Sequence, residues 1–310
     1  MKFISEERSA ALVTHAVAFE AAREALVAAA RPDTTIFPAV LGHGSDPGNR
    51  FSIKSGATAS VAGLKVGSFW PGNPARGMPR HNSLILLFDQ ERGRIDTVVE
   101  AGLVNAYRTA AADAVAASVL ARPDSQVLAV FGAGNQALYE CLALARVLPI
   151  RRVVVAARDP ERGAAFAERL REQGLAADVS GAQGACEAAD VIVTATPARA
   201  PLFEAAWVRP GTHVAAMGCD AAGKQELPVA LLERAALFCD LPAQSVTIGE
   251  FQHAAERVAS GALSLRAIGA VLESGKPGRA SAEEITVFDS SGIALQDLTI
   301  AQAILRLDQA

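Results

Sequence analysis

The sequence has few of the features that mark nucleic-acid-binding or disulfide-stabilised proteins. Aromatic residues make up only 5% of the 310 residues, so a base-stacking surface is not expected. Acidic and basic side chains number 33 and 29, and no basic block stands out, which argues against a nucleic-acid or anionic-membrane partner. The four cysteines are far apart and form no CxxC pair. Reduced, buried thiols are therefore expected, and neither a disulfide framework nor a zinc site.

Long apolar runs are also missing. No run reaches the ~18–20 residues that span a bilayer. Residues 1–7 turn acidic without an apolar stretch, so a secretory signal is not expected. His15, His43, His213 and His253 show no ligand spacing, which predicts no metal site. We therefore expect a cytoplasmic protein without a membrane partner.

The remaining composition is that of an ordinary globular protein, 51% hydrophobic and long enough for about two domains. Between residues 37 and 99, short apolar runs alternate with Gly, Pro and Asn, which predicts strands joined by hairpins. Residues 70–79 are too rich in Pro and Gly for a regular element and are expected to form a functional loop. A helix is predicted over 105–120. After a break at 121–125, strands and helices alternate, which predicts a parallel sheet with helices on both faces.

The most informative motif follows the predicted strand 126–131. Gly132, Gly134 and Ala137 form a Gly-x-Gly-x-x-Ala pattern before a predicted helix, 135–147. The first glycine permits the tight turn, the second lets the backbone approach a pyrophosphate, and the alanine lets helix and strand pack closely. The phosphates would bind the free N–H groups at the helix N-terminus, where Asn135 and Gln136 lie. A glycine turn in a non-binding domain is the alternative, but the flanking strand and helix are the context that the motif requires.

The end of the second strand of this domain bears on the choice between NAD(H) and NADP(H). An NAD-selective site usually has an acid there, which bonds the ribose 2′-hydroxyl. Ala157 occupies that position, and Arg158 follows it with a charge suited to a 2′-phosphate. The pattern favours NADP(H), with NAD(H) still possible. Alternatively, Arg158 is only a solvated residue at a helix start, and Asp159 only the N-cap of that helix.

Segments before and after this loop resemble the ornithine cyclodeaminase/μ-crystallin family. The resemblance extends over residues 37–298, and the matching segments are 63–66, 105–112, the glycine loop, 189–196, 210–214, 218–227 and 286–294. It implies a Rossmann domain, a doubly wound parallel sheet, over 121–292, and an α+β substrate-binding and dimerisation domain over 1–120 with 293–310. It also implies a homodimer that binds a small amino or imino acid at the cleft between the domains.

The resemblance assigns roles to polar side chains in two of these segments. Arg108 matches the family arginine that holds the substrate carboxylate, a task suited to a planar guanidinium. Its neighbour Thr109 resembles the residue that contacts the cofactor phosphates. Lys65 matches the lysine near the reacting carbon, where an ammonium can bind a carboxylate or polarise an imine. A surface arginine and a solvated lysine are the alternatives.

A third segment carries the candidate acid/base. Asp220, in the sequence Gly-Cys-Asp-Ala-Ala-Gly-Lys-Gln-Glu-Leu, resembles the aspartate that acts on the substrate nitrogen. A turn-forming aspartate in a glycine-rich loop is the alternative. Lys224 and Glu226 are expected to orient this loop. The predicted cofactor site also includes Thr194, Thr196, Met217 and Gly218.

The chemistry implied by the resemblance is hydride exchange between nicotinamide and the carbon next to a carboxylate. In the family, ornithine cyclodeaminases have an extra arginine for the carboxylate and a glutamate for the distal amine, and residues 35–38 and 51–54 offer neither. Lys54 instead puts a cation where the distal ammonium should bind. These departures from the cyclodeaminase pattern, together with Arg158, favour NADPH-dependent reduction of a cyclic imino acid such as pyrroline- or piperideine-2-carboxylate. Ornithine cyclodeamination with NAD+, an alanine-dehydrogenase-like activity and non-catalytic NADPH binding are the alternatives. Residues 56–61 and 70–78 are expected to line the side-chain pocket.

Overall fold

The computed structural model describes residues 1–309, which form two compact units. The first unit comprises Met1–Arg108 and the segment that begins at Ile293, and the second comprises Thr109–Gly292. The division therefore falls after Arg108, whereas the sequence analysis placed a domain boundary after residue 120. The reason for the difference is that the division lies inside a continuous helix, Gly102–Leu120.

Strands and helices follow one another along these residues as follows. The strands are β1 (Lys2–Ile4), β2 (Thr35–Ile36), β3 (Val40–His43), β4 (Arg50–Ala57), β5 (Ala62–Phe69), β6 (His81–Asp89), β7 (Arg94–Glu100), β8 (Val127–Phe131), β9 (Arg152–Ala156), β10 (Ala177–Val179), β11 (Val191–Thr194), β12 (His213–Ala216), β13 (Ala235–Cys239), β14 (Leu265–Ala267) and β15 (Ile285–Asp289). The α-helices are α1 (Glu6–Leu12), α2 (His15–Ala29), α3 (Gly102–Leu120), α4 (Asn135–Val147), α5 (Pro160–Glu172), α6 (Ala182–Ala188), α7 (Val229–Leu232), α8 (Pro242–Ile248), α9 (Ala255–Ala259), α10 (Ile268–Ser274) and α11 (Ala294–Gln309).

The first unit is a mixed sheet against which the C-terminal helix packs. The strand order is β1-β7-β6-β5-β4-β2, with β3 paired to β4. Among the described strands of this first sheet, only β1 and β7 pair in parallel, and the other pairings are antiparallel. Helix α11 contacts α2 and strands β4, β5 and β6. Glycines on the strands permit this close approach, because a Cβ on Gly63 would lie 2.9 Å from Leu298 and one on Gly56 would lie 3.5 Å from Leu295.

The proline-rich segment of the first unit is more ordered than the sequence analysis predicted. It contains a short 3₁₀ helix, Asn73–Arg76, with a proline in its first turn. Gly77 follows with a φ of 69°, and the buried Asn73 donates from Nδ2 to the carbonyl of Pro79 at 2.8 Å. The prediction that no regular element forms here was wrong. A proline in the first turn loses no helical hydrogen bond, so its presence does not exclude a helix start.

The second unit is built on a parallel sheet with the order β10-β9-β8-β11-β12-β15-β13-β14. Every one of these pairings is parallel. The order reverses at β8, because β9 lies on one side of it and β11 on the other. In such sheets, ligands bind outside the carboxyl ends of the strands at this switch point. The predicted α/β fold with a doubly wound parallel sheet is confirmed.

The four cysteines are buried and none forms a disulfide. None of the helices in residues 1–309 combines the length and apolar character needed to cross a membrane.

Candidate active site

A buried cluster of charged side chains lies in the first unit, on α3, β5 and α11. Lys65, Arg108 and Asp297 are 6%, 8% and 1% exposed. The Oδ1 atom of Asp297 lies 3.2 Å from the Nζ of Lys65 and 3.1 Å from the Nε of Arg108. These contacts are ion pairs rather than aligned hydrogen bonds. The structure thus brings together two of the side chains predicted to act on the substrate, around an acid that was not predicted.

Two amides complete this cluster. The Oδ1 atom of Asn105 accepts hydrogen bonds from Lys65 Nζ and from Arg108, at 3.2 Å from Nε and 2.8 Å from Nη2. Asn105 and Arg108 can meet in this way because they are three residues apart on one helix. The Oε1 atom of Gln296 accepts from Arg108 Nη1 at 3.2 Å. The amides therefore fix the direction of the guanidinium and of the ammonium.

The cluster lowers the pKa values of both Lys65 and Asp297. Burial and the charge of Arg108 lower the pKa of Lys65 from 10.5 to about 7, although Asp297 opposes them. Burial alone would raise the pKa of Asp297, but the charges of Arg108, Lys65 and Lys54 outweigh it, and that pKa is lowered. Near neutral pH, Asp297 is a carboxylate and Lys65 exists in both protonation states. A bound carboxylate would favour the charged form of Lys65.

The glycine loop of the second unit has the shape of a phosphate site. Gly132 has a φ of 122°, and a Cβ on it would lie 2.8 Å from the carbonyl oxygen of Ala195. Gly134 precedes α4 as its N-cap and offers no side chain to the first N–H groups of that helix. A Cβ on Gly134 would meet no protein atom within 4 Å. The loop therefore presents uncapped N–H groups next to open space, which suits a dinucleotide diphosphate.

The next residues of the loop differ in exposure and contacts. Asn135 is exposed, and Ala137 is fully buried where helix and sheet pack. Gln136 donates from Nε2 to the Oε1 of the buried Glu140 at 2.7 Å. Thr109, the predicted phosphate contact, is half-buried at the start of the second unit. The main-chain N–H groups of Asn135 and Gln136 therefore fit a phosphate better than their side chains do.

A buried carboxylate joins the loops after β11 and β12. Glu226 accepts hydrogen bonds from Thr194 Oγ1 at 2.8 Å, from both the N–H and the Oγ1 of Thr196 at 2.7 Å, and from the N–H of Gly218 at 2.9 Å. These partners are three of the four cofactor-binding residues predicted in this part of the chain, and the other one, Met217, is buried beside Gly218. Burial raises the pKa of Glu226 to about 7, although the bonds from Thr196 and Thr194 oppose the shift. Glu226 thus holds the loops on one side of the switch point.

Glu226 is itself held by further buried acids. The carboxylate of Glu250 accepts from the N–H of Glu226 at 3.0 Å and from that of Leu227 at 2.8 Å. Asp289 accepts from the N–H of Glu250 at 3.0 Å and from the hydroxyl of Ser245. Each carboxylate binds main-chain donors of the next segment, so the chain of acids fixes the loops in sequence.

Asp220 lies at the surface of the second unit. Its side chain is 57% exposed, and Oδ1 lies 2.5 Å from the Nζ of Lys224. Lys224 also donates to the carbonyl of Gly218 at 3.1 Å. Gln252 donates from Nε2 to the carbonyls of Ala221 and Lys224, both at 3.3 Å. Hydrogen bonds from Lys224 and Gln252 therefore hold this loop in place, in addition to the bond between Glu226 and Gly218. Asp220 remains exposed on the loop.

The end of β9 provides the groups that bear on cofactor choice. Ala157 is half-buried and Arg158 is exposed. The carboxylate of Asp159 accepts from the N–H groups of Glu161 and Arg162 at 3.0 and 3.3 Å and so caps α5. The acid nearest to this strand end is therefore engaged with its own helix, as the alternative interpretation of Asp159 stated.

Three members of the first-unit cluster were not found from the sequence: Asn105, Gln296 and Asp297. An acid in the first turn of a helix is ordinarily explained by the helix dipole, and Asp297 has that position in α11. The one feature of the sequence that could have identified Gln296 and Asp297 is that two adjacent polar residues interrupt an otherwise apolar segment. Among residues 1–309, no group of three or more His, Cys, Asp or Glu side chains is placed to hold a metal ion.

Comparison with known proteins agrees with this description. The model of the ornithine cyclodeaminase/mu-crystallin family matches residues 11–307. The iminosuccinate reductase of Paracoccus denitrificans is 39% identical over 99% of this chain and 96% of its own, and its structure in complex with NAD+ superposes with a TM-score of 0.90. The Delta(1)-pyrroline-2-carboxylate reductase of the same organism is 40% identical over 79% of each chain. An archaeal alanine dehydrogenase, solved as a dimer with bound NAD, is 33% identical over 100% of this chain and 97% of its own, with a TM-score of 0.90.

The matched region includes both units, the cation cluster and the glycine loop. The chain belongs to the ornithine cyclodeaminase/mu-crystallin family and is an NAD(P)-dependent oxidoreductase or cyclodeaminase.

Proposed function

We propose that this protein reduces a 2-imino acid with NAD(P)H, and that Lys65 and Arg108 bind the carboxylate of the substrate. The observation that carries the proposal is the buried pair of cations around Asp297, with contacts of 3.1 and 3.2 Å. One carboxylate does not balance two cations, and an uncompensated buried charge is costly. A substrate carboxylate next to Lys65 and Arg108 supplies the missing charge.

The second unit would hold the cofactor through main-chain groups. The N–H groups that begin α4 would bind the diphosphate, and the loops fixed by Glu226 would line the nicotinamide side. The finer proposal is that the cofactor is NADPH. It is supported by Ala157 in place of an acid, by the cationic Arg158 beside it, and by the engagement of Asp159 as a helix cap.

Bound NAD(P)H supplies a hydride to the carbon of the C=N bond. The residues of this chain then have two tasks. Lys65 and Arg108 orient the carboxylate, and with it the adjacent imine carbon. The protonated Asp220, or a water, provides the proton that the nitrogen gains as the C=N bond becomes C–N. Lys224, whose Nζ lies 2.5 Å from Oδ1, then pairs with the Asp220 carboxylate. The imino acid thereby gains one hydride and one proton and becomes an amino acid.

Two classes of imine are candidates for the substrate. Cyclic imino acids, pyrroline- and piperideine-2-carboxylate, are the class favoured from the sequence, and the resemblance to a pyrroline-2-carboxylate reductase supports them. Open-chain imino acids are supported by the resemblance to an iminosuccinate reductase, which extends over nearly the whole chain. Ornithine cyclodeamination is less well supported, because Lys54 and Lys65 would repel a distal ammonium.

We also propose that the protein is a homodimer formed through the first unit. Large apolar side chains on its strands are exposed, namely Val40, Leu41, Phe88 and Ile95. The archaeal relative solved as a dimer supports the same state. Sedimentation velocity should give twice the mass of the chain, and a stable monomer at micromolar concentration would contradict this assembly.

The experiment is an assay of nicotinamide absorbance with NADPH or NADH and a panel of imino acids. Pyrroline-2-carboxylate, piperideine-2-carboxylate and mixtures of 2-oxo acids with ammonium should include at least one substrate.

Asp220→Asn should abolish turnover and leave cofactor affinity nearly unchanged. Asp178→Asn is the control, because Asp178 is paired with Arg152 on the surface, and it should change neither turnover nor cofactor affinity. Tight NADPH binding without turnover of any imine would support a non-catalytic binding protein. Release of ammonia and proline from ornithine with NAD+, without imine reduction, would support the cyclodeaminase.

A further inference from the structure

Two neutral amides accept hydrogen bonds from the buried cations of the first unit. The Oδ1 atom of Asn105 accepts from the Nζ of Lys65 and, at 3.2 and 2.8 Å, from the Nε and Nη2 of Arg108. The Oε1 atom of Gln296 accepts from the Nη1 of Arg108 at 3.2 Å. A carboxylate in either position would form a stronger, charge-assisted contact. The amides therefore hold the cations without neutralising them.

Gln296 shows most directly that an amide is not the most stabilising group at this site. Its side chain is fully buried, and its Oε1 also accepts from the N–H of Ile293 at 3.4 Å. Its Nε2 has no hydrogen-bond acceptor among the residues that the structure describes. A buried donor without an acceptor is unfavourable. A glutamate has no such donor and would accept the same hydrogen bonds, so it would stabilise the fold better.

The charge of the cluster gives a reason for amides in these positions. Asp297 contacts Lys65 at 3.2 Å and Arg108 at 3.1 Å. When Lys65 is protonated, these three side chains have two positive charges and one negative charge, so one positive charge is left. A carboxylate at position 105 or 296 would neutralise this charge inside the protein. The attraction for an anionic ligand would then be lost.

We propose that Asn105 and Gln296 are positioning residues that determine specificity: as neutral acceptors they orient Lys65 and Arg108 and reserve their charge for the carboxylate of the substrate. The inference rests on the proposed function, since it takes Lys65 and Arg108 as the groups that bind this carboxylate. Changing one amide nitrogen to oxygen would put an internal anion in place of the substrate. Such a variant would fold and bind carboxylates poorly.

The experiment measures affinity with two pairs of probes. L-proline and L-alanine are a cyclic and an open-chain amino acid, and L-prolinamide and L-alaninamide lack the carboxylate. Calorimetry with the reduced cofactor saturating gives the four dissociation constants without turnover. Asn105→Asp and Gln296→Glu should each weaken binding of the tighter amino acid by about tenfold or more, as expected for one charged hydrogen bond. Binding of the matching amide should not weaken.

Unfolding of the same variants in urea distinguishes this role from a structural one. Asn105→Asp and Gln296→Glu should unfold at the same urea concentration as the unchanged protein or at a higher one, because each adds a counter-charge. Gln296→Met removes the acceptor without adding a charge, so it should weaken amino acid binding less than Gln296→Glu does. Gln309→Glu is the matched control, because Gln309 is exposed on the same helix, roughly 20 Å further along it, and its affinities should stay unchanged.

Protonation of Lys65 gives a third measurement. Burial and the charge of Arg108 lower the pKa of Lys65 to about 7, Asp297 opposes them, and Lys54 adds a smaller lowering. Asn105→Asp adds a second carboxylate beside the ammonium, which should raise the pKa of Lys65. Ligand binding at pH 7 should take up about half a proton in the unchanged protein and almost none in Asn105→Asp.

The outcomes separate this inference from the proposed function. Weaker amino acid binding without loss of stability in Asn105→Asp and Gln296→Glu, and neither change in Gln309→Glu, supports it. If the two acidic variants bind amino acids as tightly as the unchanged protein, or unfold more easily, the amides do not reserve the charge and imine reduction stands. If neither amino acid binds the unchanged protein more tightly than its amide, the carboxylate site is wrong and the inference fails with it. If no imine oxidises NADH or NADPH, imine reduction fails, and the affinities still decide between the first two outcomes.

Discussion

The Oδ1 atom of Asp297 lies 3.1 Å from the Nε of Arg108, although the two residues are far apart in the sequence. Arg108 comes from α3 and Asp297 from the first turn of α11, and both are almost completely buried. The carboxylate keeps a second cation, Lys65, within 3.2 Å. Asp297 therefore acts as the counter-ion that lets two cations exist side by side before a substrate arrives.

The first prediction concerns this counter-ion. Asp297→Asn should lower the free energy of unfolding by about 3–5 kcal/mol, because removing one partner of a buried ion pair leaves the other charges uncompensated. Urea unfolding at neutral pH measures the change. Asp308→Asn, an acid of the same helix paired with Lys2 and Arg8 at the surface, should have little effect. Equal losses in the two variants would contradict the role of Asp297.

The second prediction concerns the protonation of Lys65. Its pKa of about 7 means that the charged form is present below pH 7 and is lost above it. Affinity for a carboxylate ligand, such as the amino acid product, should therefore fall above pH 7, by up to about tenfold per pH unit. At pH 7, binding should take up about half a proton. Calorimetry in buffers with different ionisation enthalpies measures this uptake.

Lys65→Arg is the control for that measurement, because a guanidinium stays charged over this pH range. The proton uptake at pH 7 should disappear in this variant, and the affinity should change less between pH 7 and 9. Uptake of the same size in both proteins would show that another group titrates.

The third prediction separates charge from geometry at Arg108. Arg108→Lys keeps the charge but loses the planar fork that contacts Asn105, Gln296 and Asp297. The KM for the imino acid should rise roughly tenfold or more, which corresponds to losing a charged hydrogen bond of about 1.5–3 kcal/mol. The dissociation constant of NADPH, measured by fluorescence, should stay the same. A weaker cofactor affinity with an unchanged KM would contradict the assignment.

Much of the second unit follows from local sequence. A buried apolar strand, a glycine turn and a helix are adjacent along the chain, so the loop at Gly132 could be placed without knowledge of distant contacts. Prediction failed where short elements depend on their neighbours. Strand β3 is an example, since the exposed Val40 and Leu41 have a strand conformation only because they pair with β4. Likewise, the start of α3 at Gly102 depends on its N–H bonding to Glu6 at 2.7 Å, which no local pattern indicates.

The candidate site was predictable only in part, for a similar reason. Lys65 and Arg108 were identified through segments that resemble a family, and their contact with Asp297 depends on the packing of α11 against the sheet. The position of Lys65 also depends on strand register. A shift of one residue would turn Lys65 to the other face of the sheet, and register is fixed by tertiary packing.

The fourth prediction uses the contrast between two glycines of the phosphate loop. Gly134→Ala should leave stability nearly unchanged, because its Cβ would meet no protein atom within 4 Å and the backbone is extended at a φ of −97°. It should weaken NADPH binding by about tenfold or more, since the methyl group would occupy the approach of the diphosphate. Fluorescence titration and thermal unfolding of the same sample measure both properties.

Gly132→Ala is the informative counterpart. A Cβ at this position would lie 2.8 Å from a carbonyl oxygen, at a φ of 122° that other residues rarely adopt. We expect a loss of stability of about 1–3 kcal/mol or more. If Gly134→Ala binds NADPH as tightly as the unchanged protein, the diphosphate does not approach the backbone at this glycine.

The fifth prediction concerns pH and the buried acid that joins the cofactor loops. Burial raises the pKa of Glu226 from 4.5 to about 7, so the folded protein binds a proton more tightly there than the unfolded chain does. The stabilising contribution is thus fully present below pH 4.5 and is lost as the pH rises through about 7.

Glu226→Gln removes this titration and also replaces an acceptor of the Gly218 N–H with an amide. The variant should be less stable overall, and its stability should fall less steeply between pH 5 and 8. Glu233→Gln, at an exposed ion pair with Arg257, should keep the original slope. An unchanged slope in Glu226→Gln would mean that Glu250 and Asp289, whose pKa values burial also raises, account for the whole dependence.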